Sequence, residues 1–517
     1  MANIGFDWGT TTTSISFFNQ ETKSYDYLRF GGNNINTFPS VIAYRTIDGD
    51  ETRLIGEAAR KVLHSKKYDT YDNLKMNLNS TAKNLNGRKK SVYEAVRDFI
   101  GTSIGEYVHI YKNPPEGIVF TVPDCWGKEI FQHPSLMLME QIISAIGFDT
   151  NTQITFCSEP VAAAAYYCKE ICAEKYRGFL LIVDLGGGTI DLTLCKVENS
   201  DKILVMHRCG ETGETFTGCS GEAFDFAVTK KISDDNNLNL TLNSSQFFKL
   251  KNEFETTKIA VSADVDKLLR EYYSTTPDSR QALADKKAVL VTYGDDDEYS
   301  VTVGDIVEVF DATNRSVLEK YIYEMIECCK NEGISTEDAT NFRVILTGGF
   351  SNLYCVEATV REAFKAPICG EDARFDSGIN RELRSTATAH GAAIIADGNM
   401  NVDELFQKNV GFSYFDVFDN NEHRVTLLKS RDRVRNIREP IYFNRVLPGK
   451  YLDENSSIKI FIEDKHGVLN VDINLDKLCP SQERFYAFGL SLGRRQTLFL
   501  HSLDDNGTHI QKPVVFA

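Results

Sequence analysis

I-G-F-D-W-G-T-T-T-T-S at residues 4–14 and L-I-V-D-L-G-G-G-T-I-D at residues 181–191 share one plan. In each, an apolar run delivers an aspartate (Asp7, Asp184), then comes a glycine-rich bend with threonine, and a second apolar run begins (S-I-S-F-F, D-L-T-L-C). Glycine lets the N–H groups of such a bend converge on an anion, because no Cβ blocks the approach. Threonine hydroxyls add donors, and a carboxylate beside them holds Mg²⁺ directly or through its waters. Two copies imply two related halves that clamp one polyphosphate from both sides. Neither copy is G-x-x-x-x-G-K-[ST], and each runs on into a strand rather than a helix, so the common phosphate loops do not apply. One copy alone reads more readily as a β-hairpin with glycines in its turn; the matched aspartates weigh against that for the pair.

The chain around these loops is acidic and globular in composition. Its 517 residues allow roughly three or four folding units. Hydrophobic residues make up 42% and charged residues 25%, enough for a sizeable core. A formal charge of −16 and a pI near 5.2 argue against nucleic acid or an anionic membrane as the main partner. Phosphates in a cleft are compatible with that charge, since backbone dipoles and a metal neutralise them locally. The 12 cysteines form no zinc-like C-x-x-C pair. Cys168, Cys172, Cys328 and Cys329 fall in helix-like stretches, where cysteine acts as a small buried hydrophobe, so free thiols in a reducing compartment are expected. A strand begins almost at the N-terminus, no apolar run approaches ~18–20 residues, and P-V-V-F-A at the end is no targeting address. A cytoplasmic location is therefore expected.

Strand-like and helix-like segments alternate. Residues 1–45 read as strands and 54–78 as helical with polar breaks; a helix at 91–107 leads to the strand G-I-V-F-T-V-P at 117–123. A helix at 134–146, the strand T-Q-I-T-F and a helix at about 160–173 precede the second loop. The second half closes with F-R-V-I-L-T before Gly348-Gly349 and an alanine-rich helix at about 385–397. This alternation predicts α/β units with covered sheets. From 409 onward about seven strand-like runs appear, separated by turns such as Asp464-Lys465-His466-Gly467, the pattern of a small antiparallel β-sandwich. The expected organisation is therefore residues 1–398, a linker at 399–408 whose Val402, Leu405 and Phe406 are apolar enough to dock, and a β domain at 409–517.

The two loops, L-K-M at 74–76, F-T-V-P at 120–123, S-E-P-V-A-A-A-A at 158–165, S-G-E-A-F-D at 220–225 and L-T-G-G-F-S at 346–351 stand in a telling order. It resembles that of the ATPase domain of the heat-shock protein 70 (DnaK-like) chaperones over roughly residues 3–397. The L-K-M and G-G-F-S variants look more like the divergent, lid-poor branch similar to the heat-shock 70 kDa protein 12-like group. The resemblance implies a two-lobed actin/hexokinase-like ATPase fold with a duplicated α/β core, and a β-sandwich that binds peptide. It implies that Asp7 and Asp184 hold hydrated Mg²⁺. Gly9, Thr10, Thr11, Gly186, Gly187, Gly188, Thr189 and Asp191 match the phosphate loops, and Gly221 lies in the S-G-E-A-F-D match. Lys75 matches the lysine that orients the attacking water, which by itself reads as a surface residue. Glu159, whose plain reading is an acid in a helix's first turn, would order water around the metal. Pro123, otherwise strand punctuation, would relay nucleotide state. Glu255, Lys258 and Ser262 match groups that bind ribose and base, and Gly348 and Gly349 would pass beside the adenosine. The chain departs from the family on the nucleoside side. Ile259 and Asn352 stand where arginines are usual and Phe350 where serine is, unless Ile259 and Phe350 sandwich the base. It also stops at Ala517 without a helical lid, so fast peptide exchange is expected.

The leading expectation is a Mg-ATP-hydrolysing, chaperone-like switch that binds unfolded or extended polypeptide, with co-chaperones as partners. A nucleotide-sensing binding protein with little or no turnover is the alternative. A small-molecule kinase of the same superfold is a weaker third.

Overall fold

The structure is a computed structural model describing residues 3–30, 35–63, 65–78, 90–127, 134–149, 151–172, 176–213, 218–242, 244–294, 297–375, 379–435, 441–451, 457–464, 467–474, 485–491, 497–503 and 514–516. Lys465 and His466 of the expected turn lie outside these residues.

Two mixed sheets built alike carry the N-terminal part. The first runs Ser24–Tyr27, Thr12–Asn19, Ile4–Trp8, Gly117–Val122, Gln153–Ser158. Its first three strands form an antiparallel meander, and the last three run parallel. The second sheet repeats that order with Lys202–Glu211, Ile190–Asn199, Gly178–Leu185 and Phe342–Thr347. In both, the hairpin turn carries a phosphate-loop sequence. Gly117–Val122 and most of Gly178–Leu185 are buried on both faces, as their unbroken apolar runs require.

Two helices join the halves. Glu159–Tyr166 and Ala387–Ala396 are almost wholly buried and cross at Gly391, where a Cβ would strike the carbonyl of Ala162. Alanine faces and that glycine allow backbones to approach closely. The second lobe adds the helices Gly221–Asp235, Ser245–Ala260, Ser262–Ser274, Val303–Phe310 and Ser316–Asn331, packed on Leu181, Val183, Leu192 and Leu194.

The helical reading of 54–78 does not hold. Asp48 and Gly49 both take positive φ (52° and 94°), closing a tight hairpin between Ile42–Ile47 and Asp50–Ile55. After the hairpin the chain makes one helical turn, Glu57–Arg60, and then a third strand, Asp69–Tyr71. The Asp-Gly turn signal outweighs the helix propensity of the residues after it.

Residues 401–405 form a strand. It lies parallel to Lys202–Glu211 with Val402 opposite Ile203, and Val402 and Phe406 are buried. Beyond it come two four-stranded antiparallel sheets. One holds Asn421–Leu428, Asn409–Asp416, Ser457–Asp464 and Gly467–Asn474; the other holds Ile441–Pro448, Phe485–Ser491, Thr497–Leu503 and Val514–Phe516. Phe412 of the first stacks on Phe488 of the second at 4.2 Å. A single buried apolar cluster continues from Val161 through Val402 and Phe406 to these rings. Among the described residues no helix is long and apolar enough to cross a membrane, and every cysteine is free of a disulfide.

Candidate functional site

The first loop is held by its own backbone. Gly9 N–H donates to the Thr12 carbonyl at 3.0 Å, and the Ser40 hydroxyl donates to the Gly9 carbonyl at 2.8 Å. The second is pinned from behind: the carbonyls of Gly186, Gly187 and Gly188 accept from the N–H groups of Gly221, Glu222 and Cys219 at 3.2, 2.7 and 3.1 Å. With its carbonyls engaged on that side, the turn keeps its amides for the other. Side chains at Gly187 or Gly188 would collide with Thr10, Thr11 and Met76, so glycine is what lets the two loops meet.

Between them lies a cavity of about 290 Å³. Its walls include Asp7, Gly9, Thr10, Thr11, Lys75, Glu159, Asp184, Gly186, Gly187, Thr189, Gly221, Glu255, Lys258, Ser262, Gly348 and Gly349, all of them picked out from the sequence. Two other expected residues are not in the wall. Gly188 is packed against Met76 and Thr10, and Asp191 sits behind the loop, accepting the Cys125 N–H at 3.0 Å. Glu255 and Lys258 lie on the helix Ser245–Ala260, whereas Ser262 opens the next one.

Lys75 is buried, ion-paired with Glu159, and 5.8 Å from the Trp126 ring centroid. Glu159 occupies the first turn of its helix, capped by Ser158. Asp7 accepts from the Thr121 hydroxyl at 2.8 Å. Burial first, and the charge of Glu159 second, raise Asp7 to about 7 against the pull of Lys75; the same two causes raise Asp184. Burial and then Asp124 raise Asp191 to about 8, and its Oδ2 has no hydrogen-bond partner. Asp7, Glu159 and Asp184 around the one lysine, Lys75, form a cavity wall short of positive charge, which suits a divalent cation. Among the described residues, the one trio of ligand atoms within 4.8 Å of each other is Asp416, Asp419 and His423, in the C-terminal hairpin. Asp7, Glu159 and Asp184 do not form such a trio.

The wall of the cavity also includes Ile259, Phe350, Asn352, Leu353, Arg384, Ser385 and Thr388. Ile259 is 51% exposed at the rim. Phe350 is buried against Phe224 and Phe310, with the Lys258 ammonium 5.9 Å from its ring. Lys258 itself pairs with Asp225 at 2.5 Å. Arg384, Ser385 and Thr388 were not marked by any motif; only a fold bringing 380–388 beside 348–353 could have flagged them.

Comparisons with known proteins give the chain's family relations. The family model described as Hsp70 protein matches residues 153–411. The chain is similar to the chaperone protein DnaK of Thermoplasma volcanium, 26% identical over 276 residues, covering 51% of this chain and 42% of that protein. It is similar to the DnaK of Metamycoplasma hominis, 23% identical over 373 residues, covering 69% and 54%. With the DnaK of Psychrobacter cryohalolentis it shares 23% over 439 residues, covering 76% and 58%. The chain spans about half the length of the curated relatives it matches.

Proposed function

The chain belongs to the heat-shock protein 70 family, and from that premise we propose that it is a Mg-ATP-driven, chaperone-like switch. The observation that carries this is the cavity walled by both glycine loops, Asp7, Asp184, Glu159 and Lys75. The loop amides and Thr10, Thr11 and Thr189 bind the phosphates. Asp7 and Asp184 would hold hydrated Mg²⁺, which offsets the phosphate charge, and Glu159 orders water next to it. The Lys75 ammonium positions the attacking water and stabilises charge on the transferring phosphoryl. Gly348 and Gly349 pass beside the adenosine, with Glu255, Lys258 and Ser262 on the ribose and base.

In this reading residues 1–398 are the ATPase unit, 399–408 the connection and 409–517 a β-sandwich that binds an extended apolar segment of a client by strand addition or side-chain pockets. Co-chaperones are the expected further partners, and the cytoplasm the expected location. The strand Asn401–Leu405, hydrogen-bonded into the ATPase sheet, supports a mechanical connection between cleft and β domain. One observation favours the alternative of a nucleotide sensor with little turnover: Lys75 is already ion-paired with Glu159 and is not a free ammonium.

Calorimetric titration with ATP and ADP, in Mg²⁺ and then in EDTA, tests the cleft, and a steady-state turnover assay separates the readings. Mg²⁺-dependent binding with client-stimulated turnover supports the switch. Tight binding with no turnover supports the sensor, and no nucleotide binding rejects both.

A further inference from the structure

We propose that the hairpin joining Asn409–Asp416 to Asn421–Leu428 holds a zinc-class divalent cation through Asp416, Asp419 and His423. The site stands apart from the nucleotide cavity and does not depend on how that cavity is read.

The hairpin gathers the three side chains at one point. Tyr414 lies opposite His423, and Asp416 opposite Asn421, across the antiparallel ladder. Alternation along a strand therefore puts Tyr414, Asp416 and His423 on one face. The Tyr414 ring stacks on the imidazole with centroids 5.5 Å apart. Asp416 Oδ1 accepts the Phe418 N–H at 2.8 Å, and Asp419 Oδ1 accepts the Asn421 N–H at 2.9 Å. Each carboxylate is thus fixed through one oxygen. The other, Oδ2, lies 4.0 Å from His423 Nε2 for Asp416 and 2.6 Å for Asp419. The turn itself is tied down. The Asn420 N–H donates to the Asp416 carbonyl at 2.9 Å, and the Val417 N–H to the Tyr451 carbonyl at 3.2 Å.

Asp416 separates this trio from an ordinary exposed ion pair. Its side chain is nine-tenths buried, yet its Oδ2 makes no hydrogen bond. Buried polar atoms otherwise nearly always find a partner. Nor is this oxygen sealed off: the fully enclosed unpartnered atoms, Asp191 Oδ2 among them, do not include it, so an ion reaches it from solvent. All three ligand atoms fall within 4.8 Å of one another. A tetrahedral ion with bonds of about 2.1 Å needs them about 3.4 Å apart. Asp416 can stay in place, because Asp419 and His423 are 45% and 41% exposed and have room to swing. The ion takes the place of the Nε2 proton now shared with Asp419. One imidazole nitrogen with two carboxylate oxygens suits Zn²⁺ rather than Mg²⁺ or Ca²⁺, which take oxygen ligands. Water completes the coordination.

The test is calorimetric titration with Zn²⁺ of the full chain, stripped with EDTA and free of nucleotide, beside Asp416→Asn and His423→Ala. Asp416→Asn keeps an oxygen for the Phe418 N–H, and His423 lies at the surface, so both variants should fold. The unmodified chain should bind one zinc more than either variant, since loss of even an outer partner of a ligand weakens a metal site about 10–100-fold. Excess Mg²⁺ should not displace that zinc. Co²⁺ in the same place should show d–d bands without thiolate charge transfer, which separates the hairpin from the cysteines. Zinc should also slow amide exchange at 416–423 in the unmodified chain and leave it unchanged in the variants. Should either variant misfold, that slowing in the unmodified chain decides alone. Equal zinc stoichiometry in all three folded proteins, thiolate charge transfer on the extra cobalt, or no slowing at 416–423 overturns the proposal.

Discussion

Lys75 is 5% exposed, and burial alone drives an ammonium toward its neutral form. Here the charges of Glu159 and Asp7 outweigh burial and hold its pKa above the ordinary lysine value. A cation is thus kept in the cavity wall. Lys75→Ala should therefore leave ATP affinity within about tenfold while turnover drops about 10²–10³-fold, the usual effect of deleting one preorganised electrostatic group. Single-turnover hydrolysis measures it, and an unchanged rate constant would remove Lys75 from the chemistry. At this scale the meeting of the two glycine bends with Asp7 and Asp184 at one cavity was readable in the sequence, because the same bend recurs with a matched aspartate. The wall formed by residues 350–353 and 384–388 was not. Ile259 and Asn352 signalled only what was missing, and Arg384 sits in L-R-S-T, a stretch with no motif, delivered by one backbone bond from Gly348. Asp191 shared the loop's spacing but faces the Cys125 amide, a direction that depends on strand pleat and neighbouring chain rather than on the motif.

Between residue and molecule, the crossing of Glu159–Tyr166 with Ala387–Ala396 is the tightest packing of elements. Gly391→Ala would drive a methyl into the Ala162 carbonyl and force the helices apart. Overpacking of this kind costs about 1–3 kcal/mol, and the upper end is expected because backbone cannot swing aside. A lowered thermal midpoint in the purified variant checks it, and an unchanged midpoint would mean the crossing is looser than described. On the far side of the second sheet, His207 of Lys202–Glu211 meets Cys328 and Glu324 of Ser316–Asn331. Burial opposes its charge, but the thiol and carboxylate outweigh it and raise the imidazole to about 9. The folded state thus keeps this proton to higher pH than the unfolded chain, whose histidine titrates near 6.5. The stabilisation is complete below about 6.5 and lost as pH rises through 9. His207→Gln should flatten the fall of the thermal midpoint between about pH 6.5 and 9.5; identical slopes would count against the pairing. Long periodic helices such as Val92–Tyr111 were evident in the sequence, whereas Asn401–Leu405 was not recognisable as a strand. Its polar positions are explained only by partners, Asp403 meeting Lys202 and Arg433.

Across the whole molecule, one half-buried arginine joins the surroundings of the cleft to the C-terminal part. Arg208 donates to Asp124 at 2.7 Å and to Glu404 at 3.0 Å. Asp124 also binds the Thr193 hydroxyl and sits one residue before Cys125, whose N–H is held by Asp191 behind the second loop. Glu404 lies on the strand that leads into the antiparallel sheets, anchored a second time by Arg433, which bridges Asp403 and Glu198. Burial raises Glu404, with Arg208 the charge that opposes it, so the carboxylate depends on this guanidinium to stay ionised. Removing one member of a buried ionic group leaves the others uncompensated, at a cost of about 3–5 kcal/mol. Arg208→Ala should accordingly destabilise the chain by that order. It should also speed hydrogen exchange at residues 401–405 more than in the central strand Gly178–Leu185, because the paired edge opens first. If the connection transmits nucleotide state, ATP will slow exchange at 401–405 in the unmodified chain and fail to do so in Arg208→Ala. Equal protection by ATP in both proteins would assign Arg208 to stability alone and require the two parts to communicate by another route.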